Sequence, residues 1–193
     1  MNWLARQFRS TTAWKIRNLF RWRFLWHLAQ ADLARIVARI GLLGVTAAIG
    51  ELSIVVIRKD GAREDLGRVS CQVVTTAFVN LLVDDLQASQ AAFHAFKYHE
   101  MGTTNTAEAA ADTALAAAVE TRATGTQVEG ATANIYKSVG TVTATDTRAI
   151  VEHGLFSASS GATLMDRSIF ATINLVSGDS IEFTYQLTCT AGS

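Results

Sequence analysis

The sequence predicts a mainly β body, an antiparallel β-sandwich or jelly-roll-like fold with one amphipathic helix, preceded by a separate N-terminal helical arm. Three observations predict it. All four tryptophans, Trp3, Trp14, Trp22 and Trp26, fall in the first 26 residues among six basic residues and no acid, which sets that segment apart. Beyond residue 50, short β-branched and aromatic runs alternate with Asp-Gly and Ser-Gly-Asp turn signals. Only one stretch of that body spaces its large apolar residues as a helix does. The division is therefore 1–50 for the arm and 51–193 for the body, with the helix at about 75–92.

In the arm, Leu19, Trp22, Trp26, Ala29, Leu33, Ile36, Ile40 and Leu43 recur at alternating spacings of three and four, which keeps one apolar stripe on one side of a helix. Gly41 and Gly44 mark its end. In the body, Leu52 to Arg58 is β-branched and returns through the Lys59-Asp60-Gly61-Ala62 turn into Leu66 to Val74, a hairpin. Phe78, Leu82 and Leu86, with Val79 and Val83 beside them, predict the helix, whose Asp84, Asp85 and Gln87 face away. Phe93 to His99 alternates as a strand. From Gly102 to Ala118 the chain is almost without large apolar residues, so a long surface loop is expected. Four more strands follow, at about 131–144, 148–157, 163–173 and 180–190. The last is the clearest, with Ile181, Phe183, Tyr185, Leu187 and Cys189 on one face.

Composition bounds the function. With 193 residues, 49% hydrophobic and 18% charged, the chain has material for a core and is not a disordered chain. Seventeen basic residues balance seventeen acidic ones, which excludes a uniformly basic nucleic-acid binder. The balance hides a split: residues 1–45 hold eight basic residues and one acid, net +7, and the remainder is net −7. The basic region is too long for a secretory signal, and the apolar run from Ile40 to Gly50 is too short for a bilayer span. Basic residues and tryptophans on one amphipathic helix suit an anionic membrane surface. The commonest use of such a stripe is packing against protein, whether the chain's own body, a sister helix or a partner. Partner contacts are assigned to Trp3, Trp14, Arg17, Leu19, Arg21, Trp22, Arg23, Trp26, Leu33, Ile36 and Ile40. No specific nucleic acid is expected.

Chemistry finds little footing. His94 and His99 stand five apart and so point to opposite faces of a strand, whereas paired ligands on one strand want a spacing of two. Glu152 and His153 are adjacent and also point apart, which leaves His153 a packing or hydrogen-bonding role. Asp84 and Asp85 do not face each other on a helix. Ser157 to Gly161 lacks the nucleophile-elbow pattern, and no phosphate-binding Gly-rich loop ends in Lys-Ser or Lys-Thr. Two cysteines, Cys71 and Cys189, are too few for a disulfide scaffold; Cys189, on the apolar face, is expected to be buried, and its pairing with Cys71 is left open. The expectation is a protein that is not an enzyme, with no cofactor, no metal and no catalytic residue.

The run from Phe96 to Leu115, Phe-Lys-Tyr-His-Glu-Met-Gly-Thr-Thr-Asn-Thr-Ala-Glu-Ala-Ala-Ala-Asp-Thr-Ala-Leu, resembles a module of virion structural proteins of tailed bacteriophages. Arg122 to Gln127, Glu129-Gly130-Ala131, Ala133 to Tyr136, Ile150 to Phe156, Leu164 to Arg167 and Ser177 to Ile181 follow in that family's order. The resemblance covers Phe96 to the C-terminus strongly and Leu66 to Leu86 less so; the arm departs from it. It implies assembly into a virion, made in the host cytoplasm, with the major capsid protein or other virion proteins as partners. A capsid decoration or cement protein is the leading expectation. A tail-fibre or tail-adaptor subunit is the alternative, and a peripheral membrane-active protein is a second one. The heptad-like arm, together with the resemblance, implies a homo-oligomer, with a trimer favoured.

Overall fold

In the computed structural model the described residues are 47–72, 74–87 and 94–190. They form a mainly β body of two antiparallel sheets and one helix. In chain order the elements are β1 (Ala47–Ile57), β2 (Arg63–Gln72), α1 (Thr76–Gln87), β3 (Tyr98–Gly102), β4 (Ala123–Thr124), β5 (Thr126–Glu129), β6 (Ile135–Thr143), β7 (Arg148–Phe156), β8 (Leu164–Leu175) and β9 (Ser180–Thr190). The larger sheet runs β2-β1-β9-β6-β5 and the smaller β4-β3-β7-β8.

The predicted hairpin is β1–β2. Arg58 N donates to Ala62 O at 2.8 Å and Gly61 N to Arg58 O at 2.8 Å, closing the turn at Gly61, whose φ of 86° suits a residue without a Cβ. β1 starts at Ala47, earlier than the predicted Leu52, because its full length pairs with β9 from Ala47↔Thr190 to Ile57↔Ser180. The alternation in β9 holds from Ile181 to Leu187, all buried. It fails at Cys189, which is exposed, contrary to the expectation that this thiol is buried. There Asn134 occupies the strand's edge through Cys189 N to Asn134 O at 3.0 Å and Asn134 Nδ2 to Cys189 O at 2.9 Å. Cys71 lies opposite Glu51 and Cys189 opposite Ala48, so the width of β1 separates the two thiols.

The principal core lies between the sheets. Leu52, Ile54 and Val56 of β1, Ile181 and Phe183 of β9 and Val142 of β6 meet Met101 of β3, Ile150 of β7 and Phe170, Ile173 and Leu175 of β8. A second cluster joins Tyr185 and Leu187 to Leu155, Met165, Phe96 and Phe78, and so attaches α1. Thr75 caps the helix: its Oγ1 accepts from Phe78 N at 3.2 Å and donates to Leu164 O.

Three expectations are corrected here. The strand predicted at Phe93–His99 lies at Tyr98–Gly102, and Phe96 is buried as part of the connection leading into it. Two short strands, β4 and β5, were not predicted; their residues are exposed or half-buried and carry no apolar alternation. The helix ends at Gln87 among the described residues, and its contact with the body differs from the predicted one. Phe78 is buried and Leu81 partly so, whereas Val79, Leu82, Val83 and Leu86 are exposed.

Candidate functional site

Paired strands in the smaller sheet give its two faces different residues. Opposite neighbours share a face, so His99 with Leu155, His153 with Ser168, and Leu155 with Asp166 point toward the larger sheet. Glu100 with Gly154, Gly154 with Arg167, and Glu152 with Ile169 point away from it.

On the inner face, four buried polar side chains stand among the apolar ones. His99 Nδ1 and His153 Nε2 share a hydrogen bond of 3.0 Å, and His99 Nε2 shares one of 2.9 Å with Ser138 Oγ on β6. A neutral imidazole, with one donor and one acceptor nitrogen, satisfies both contacts. The His153 ring packs 4.4 Å from that of Phe183. Burial drives His99 down to a pKa of about 3, and it drives His153 well below the ordinary range, helped by His99 beside it. Asp166 accepts from Ser168 Oγ at 2.8 Å, yet burial pushes its carboxyl up to about 7. His99, His153, Ser138, Ser168 and Asp166 are all wholly enclosed, so a substrate reaches none of them unless the sheets part. The arrangement can fix the mutual register of the sheets through directional bonds, and it supplies no nucleophile to solvent. Among the described residues, no three His, Cys, Asp or Glu side chains are grouped to hold a metal ion.

The outer face of the same sheet is covered by the segment predicted as a surface loop. Residues 103–122 form the long, mostly exposed loop that was expected, and they fold back across β3, β7 and β8 as a strap. Glu152 is the fulcrum. Its Oε1 accepts from Ala117 N at 2.9 Å, and its Oε2 accepts from Ala116 N at 3.3 Å and from Arg167 Nε and Nη2 at 3.0 and 2.8 Å. Arg167 continues to Asp112 Oδ2 at 2.9 Å and to the carbonyls of Thr106 and Ala107 at 3.1 and 3.4 Å. A Cβ at Gly102 would lie 2.3 Å from Glu152 Oε1 and 2.6 Å from Ala117 O, so the strap closes only over glycine. Leu115 is the strap's one buried large apolar side chain and meets Phe156 and Leu164. At the far end the Arg122 guanidinium lies 3.4 Å over the Phe156 ring and pairs with Glu100 at 3.3 Å.

The sequence-assigned partner residues Trp3, Trp14, Arg17, Leu19, Arg21, Trp22, Arg23, Trp26, Leu33, Ile36 and Ile40 lie outside the described residues, as do residues 88–92 of the predicted helix and residue 93 of the predicted strand. Of the other residues weighed for chemistry, His94 is exposed at the entry to β3, and Asp84 is exposed on α1. The structure brings together His99 and His153, which sequence spacing treated separately, and adds Ser138; Asp166 is bonded to Ser168. It also joins Glu152 to Arg167. The available signal was a charge of each sign inside otherwise apolar strand runs, Ile150 to Phe156 and Leu164 to Phe170. Among the described residues no helix is long and apolar enough to cross a membrane. No protein-family model, curated protein or solved structure matches the chain.

Proposed function

We propose that the chain is a non-enzymatic structural protein of a tailed-bacteriophage virion, a capsid decoration or cement protein whose β-sandwich body is tied down by its N-terminal arm. The observation that carries this reading is the ordered series of family-like segments from Phe96 to Ile181. Those segments contribute β3, much of the strap, and parts of β4 to β9, so the resemblance follows one continuous body rather than scattered surface motifs. The enclosure of His99, His153 and Asp166 favours a structural over a catalytic use of the titratable groups. The split of +7 in the arm against −7 in the rest favours attachment to an acidic neighbour, with tryptophans as anchors.

Localisation on purified particles tests the proposal. Cryo-EM density on the head shell, at hundreds of copies per particle on the order expected for a shell component, supports a decoration protein; density on the tail alone ends that reading. The tail alternative rests on Glu152 to Phe156 followed by Leu164 to Arg167, which also resembles small domains of tail fibres. Removing residues 1–45 leaves every described strand and α1 in place, since β1 begins at Ala47. The truncated chain is therefore expected to fold and to lose attachment. In this reading the arms also make the protein a homo-oligomer, a trimer, and a concentration-independent monomer in sedimentation would refute that part. The membrane alternative requires salt-sensitive binding of the full chain to anionic vesicles.

A further inference from the structure

We propose that an ordered internal water is held between Asp166 Oδ2 on β8 and Tyr185 Oη on β9, over Gly50 of β1, and ties the two sheets together there. The inference concerns the body alone and goes beyond the virion reading.

Both side chains are wholly buried. Of the two carboxyl oxygens of Asp166, Oδ1 accepts from Ser168 Oγ at 2.8 Å, whereas Oδ2 has no hydrogen-bond partner, and neither has the hydroxyl of Tyr185. A buried polar group left unpaired costs about 1 to 3 kcal/mol, and native proteins nearly always supply a partner, from protein or from ordered water. Two such oxygens, one from each sheet, meet at one place. A Cβ at Gly50 would lie 2.8 Å from Tyr185 Oη and 3.2 Å from Asp166 Oδ2, so both face the same point, yet they do not bond each other.

Gly50 supports this reading. It lies inside β1, opposite Gln72 and Leu187, and is not among the glycines with positive φ, so the backbone there does not require glycine. Glycine inside a strand weakens it and often marks the close approach of a ligand or of another chain segment. Here it keeps a side chain out of the approach to the two oxygens.

The chemistry selects water. Tyr185 is surrounded by Phe78, Phe96, Leu155, Met165 and Leu187, which offer an ion no ligands, and a carboxyl repels an anion. Among the described residues no metal-holding group is assembled. Water both donates and accepts, so it pairs with the hydroxyl and with the carboxyl in either protonation state. Burial pushes Asp166 up to about 7, so both states occur near neutrality. Because Ser168 donates to Oδ1, the proton of the neutral form falls on Oδ2, the oxygen facing Tyr185. The water would then join β8 to β9 as the His99–Ser138 bond joins β3 to β6.

Two measurements on the full-length protein test this. A crystal structure that shows ordered solvent should place one water at hydrogen-bond distance, about 2.7 to 3.0 Å, from both oxygens. A direct bond between Asp166 and Tyr185, or no water peak between them, overturns the proposal. Oxygen-17 relaxation dispersion counts long-lived internal waters in solution. Tyr185→Phe should hold one fewer than the wild type, because a water with a single partner in an apolar surround is not retained. Gly50→Ala, whose Cβ takes up the approach, should lose the same one. If Gly50→Ala does not fold, Tyr185→Phe, which removes only a hydroxyl, carries the solution test. Equal counts in the wild type and the folded Tyr185→Phe variant overturn the proposal.

Discussion

The two faces of the smaller sheet are both covered, one by the larger sheet and the other by the strap, and the covers are held by different forces. The inner face is mainly apolar contact with a few polar side chains locked inside, so its free energy comes chiefly from surface removed from water. The outer face has one large buried apolar side chain from the strap, Leu115, and is otherwise held by polar contacts: Glu152 and Arg167 on its backbone groups, Val119 N to Met101 O at 3.1 Å, and Arg122 with Glu100. A segment too poor in apolar residues to build a core element can still form a layer, provided strand side chains satisfy its backbone. That arrangement gives one buried carboxylate, Glu152, the largest single share of the layer's polar contacts. It predicts that the outer face is fragile to single substitutions and the inner face to pH and crowding.

The largest effect is expected from Glu152→Ala. The substitution removes the buried one of Arg167's two carboxylate partners, leaving that guanidinium, 3% exposed in its side chain, with Asp112 alone, and unpairs two strap amides. Breaking a buried ion pair from one side costs about 3 to 5 kcal/mol. Urea unfolding should show that loss, and hydrogen exchange should show amides 116 and 117 losing protection. Glu152→Met with Arg167→Met should cost less than the single change, because no charge is left inside the sheet; Asp112, which loses Arg167, is partly exposed and keeps Ala109 N at 2.9 Å. If the single variant keeps wild-type stability and strap protection, apolar contact through Leu115 holds the outer layer after all.

On the inner face the lever is pH, and two groups of opposite sign oppose each other. The native pKa of His99 is about 3 and that of His153 is also lowered, against about 6.5 for an unfolded histidine. The unfolded chain therefore takes up protons first, and these residues remove stability as pH falls below about 6.5. Asp166, raised from 3.8 to about 7, is protonated first in the native state, so it adds stability as pH falls from about 7 toward 4. At about 1.4 kcal/mol per unit, each contribution is a few kcal/mol at most. Asp166→Asn should be more stable than the wild type near pH 8, and this advantage should vanish near pH 4, so the variant loses stability more steeply on acidification. Parallel profiles of urea midpoint against pH would show that Asp166 is not held neutral by burial.

Crowding is the next smaller test of the inner face. A Cβ at Gly140 would sit 2.3 Å from His99 Cδ2, so Gly140→Ala must displace the ring that links His153 to Ser138. Overpacking of this kind costs about 1 to 3 kcal/mol. Calorimetry should show a lower Tm with an unchanged strap exchange pattern; loss of strap protection as well would mean that the two faces are coupled.

The same contrast explains what the sequence disclosed. The strands carrying the inner face were legible because alternation reports one buried side: Ile181 to Leu187 read directly as β9, and the Asp60-Gly61 turn fixed the first hairpin. The outer face was not: β7 is predicted as a strand with Glu152 and His153 on opposite faces, but its burial on both sides does not follow from alternation, which reports one covered face only. The strap, residues 103–122, lacked apolar residues, and nothing in its own composition indicates that Glu152, some thirty-five positions later, completes its hydrogen bonds. On α1 the apolar stripe is legible as a stripe, but of its residues Phe78 alone is buried, because helical period locates a face without saying which neighbour covers it. The inner polar chain escaped because His99 and Ser138 come together only through the pairing of the sheets.

The smallest expected effect concerns the turn that joins β7 to β8 and so carries both faces at once. Residues 157–163 close through Ser157 N to Thr163 O at 3.1 Å and Thr163 N to Ser157 Oγ at 3.1 Å, while Arg122 binds the carbonyls of Ala158 and Gly161. Ala162 sits at a φ of 110°, where a Cβ is disfavoured, and it is the one non-glycine residue with positive φ among the described residues. Such a conformation costs about 1 to 3 kcal/mol, and glycine would relieve most of it while adding about 0.5 to 1 kcal/mol of unfolded-state entropy. Ala162→Gly should therefore stabilise the protein, by about 1 kcal/mol, and raise the urea midpoint without altering the exchange of either face. Destabilisation would mean that the turn relaxes to accept alanine and that its strain is not maintained by Arg122; a gain larger than that of relieving one residue would mean that the turn was straining β7 and β8 themselves.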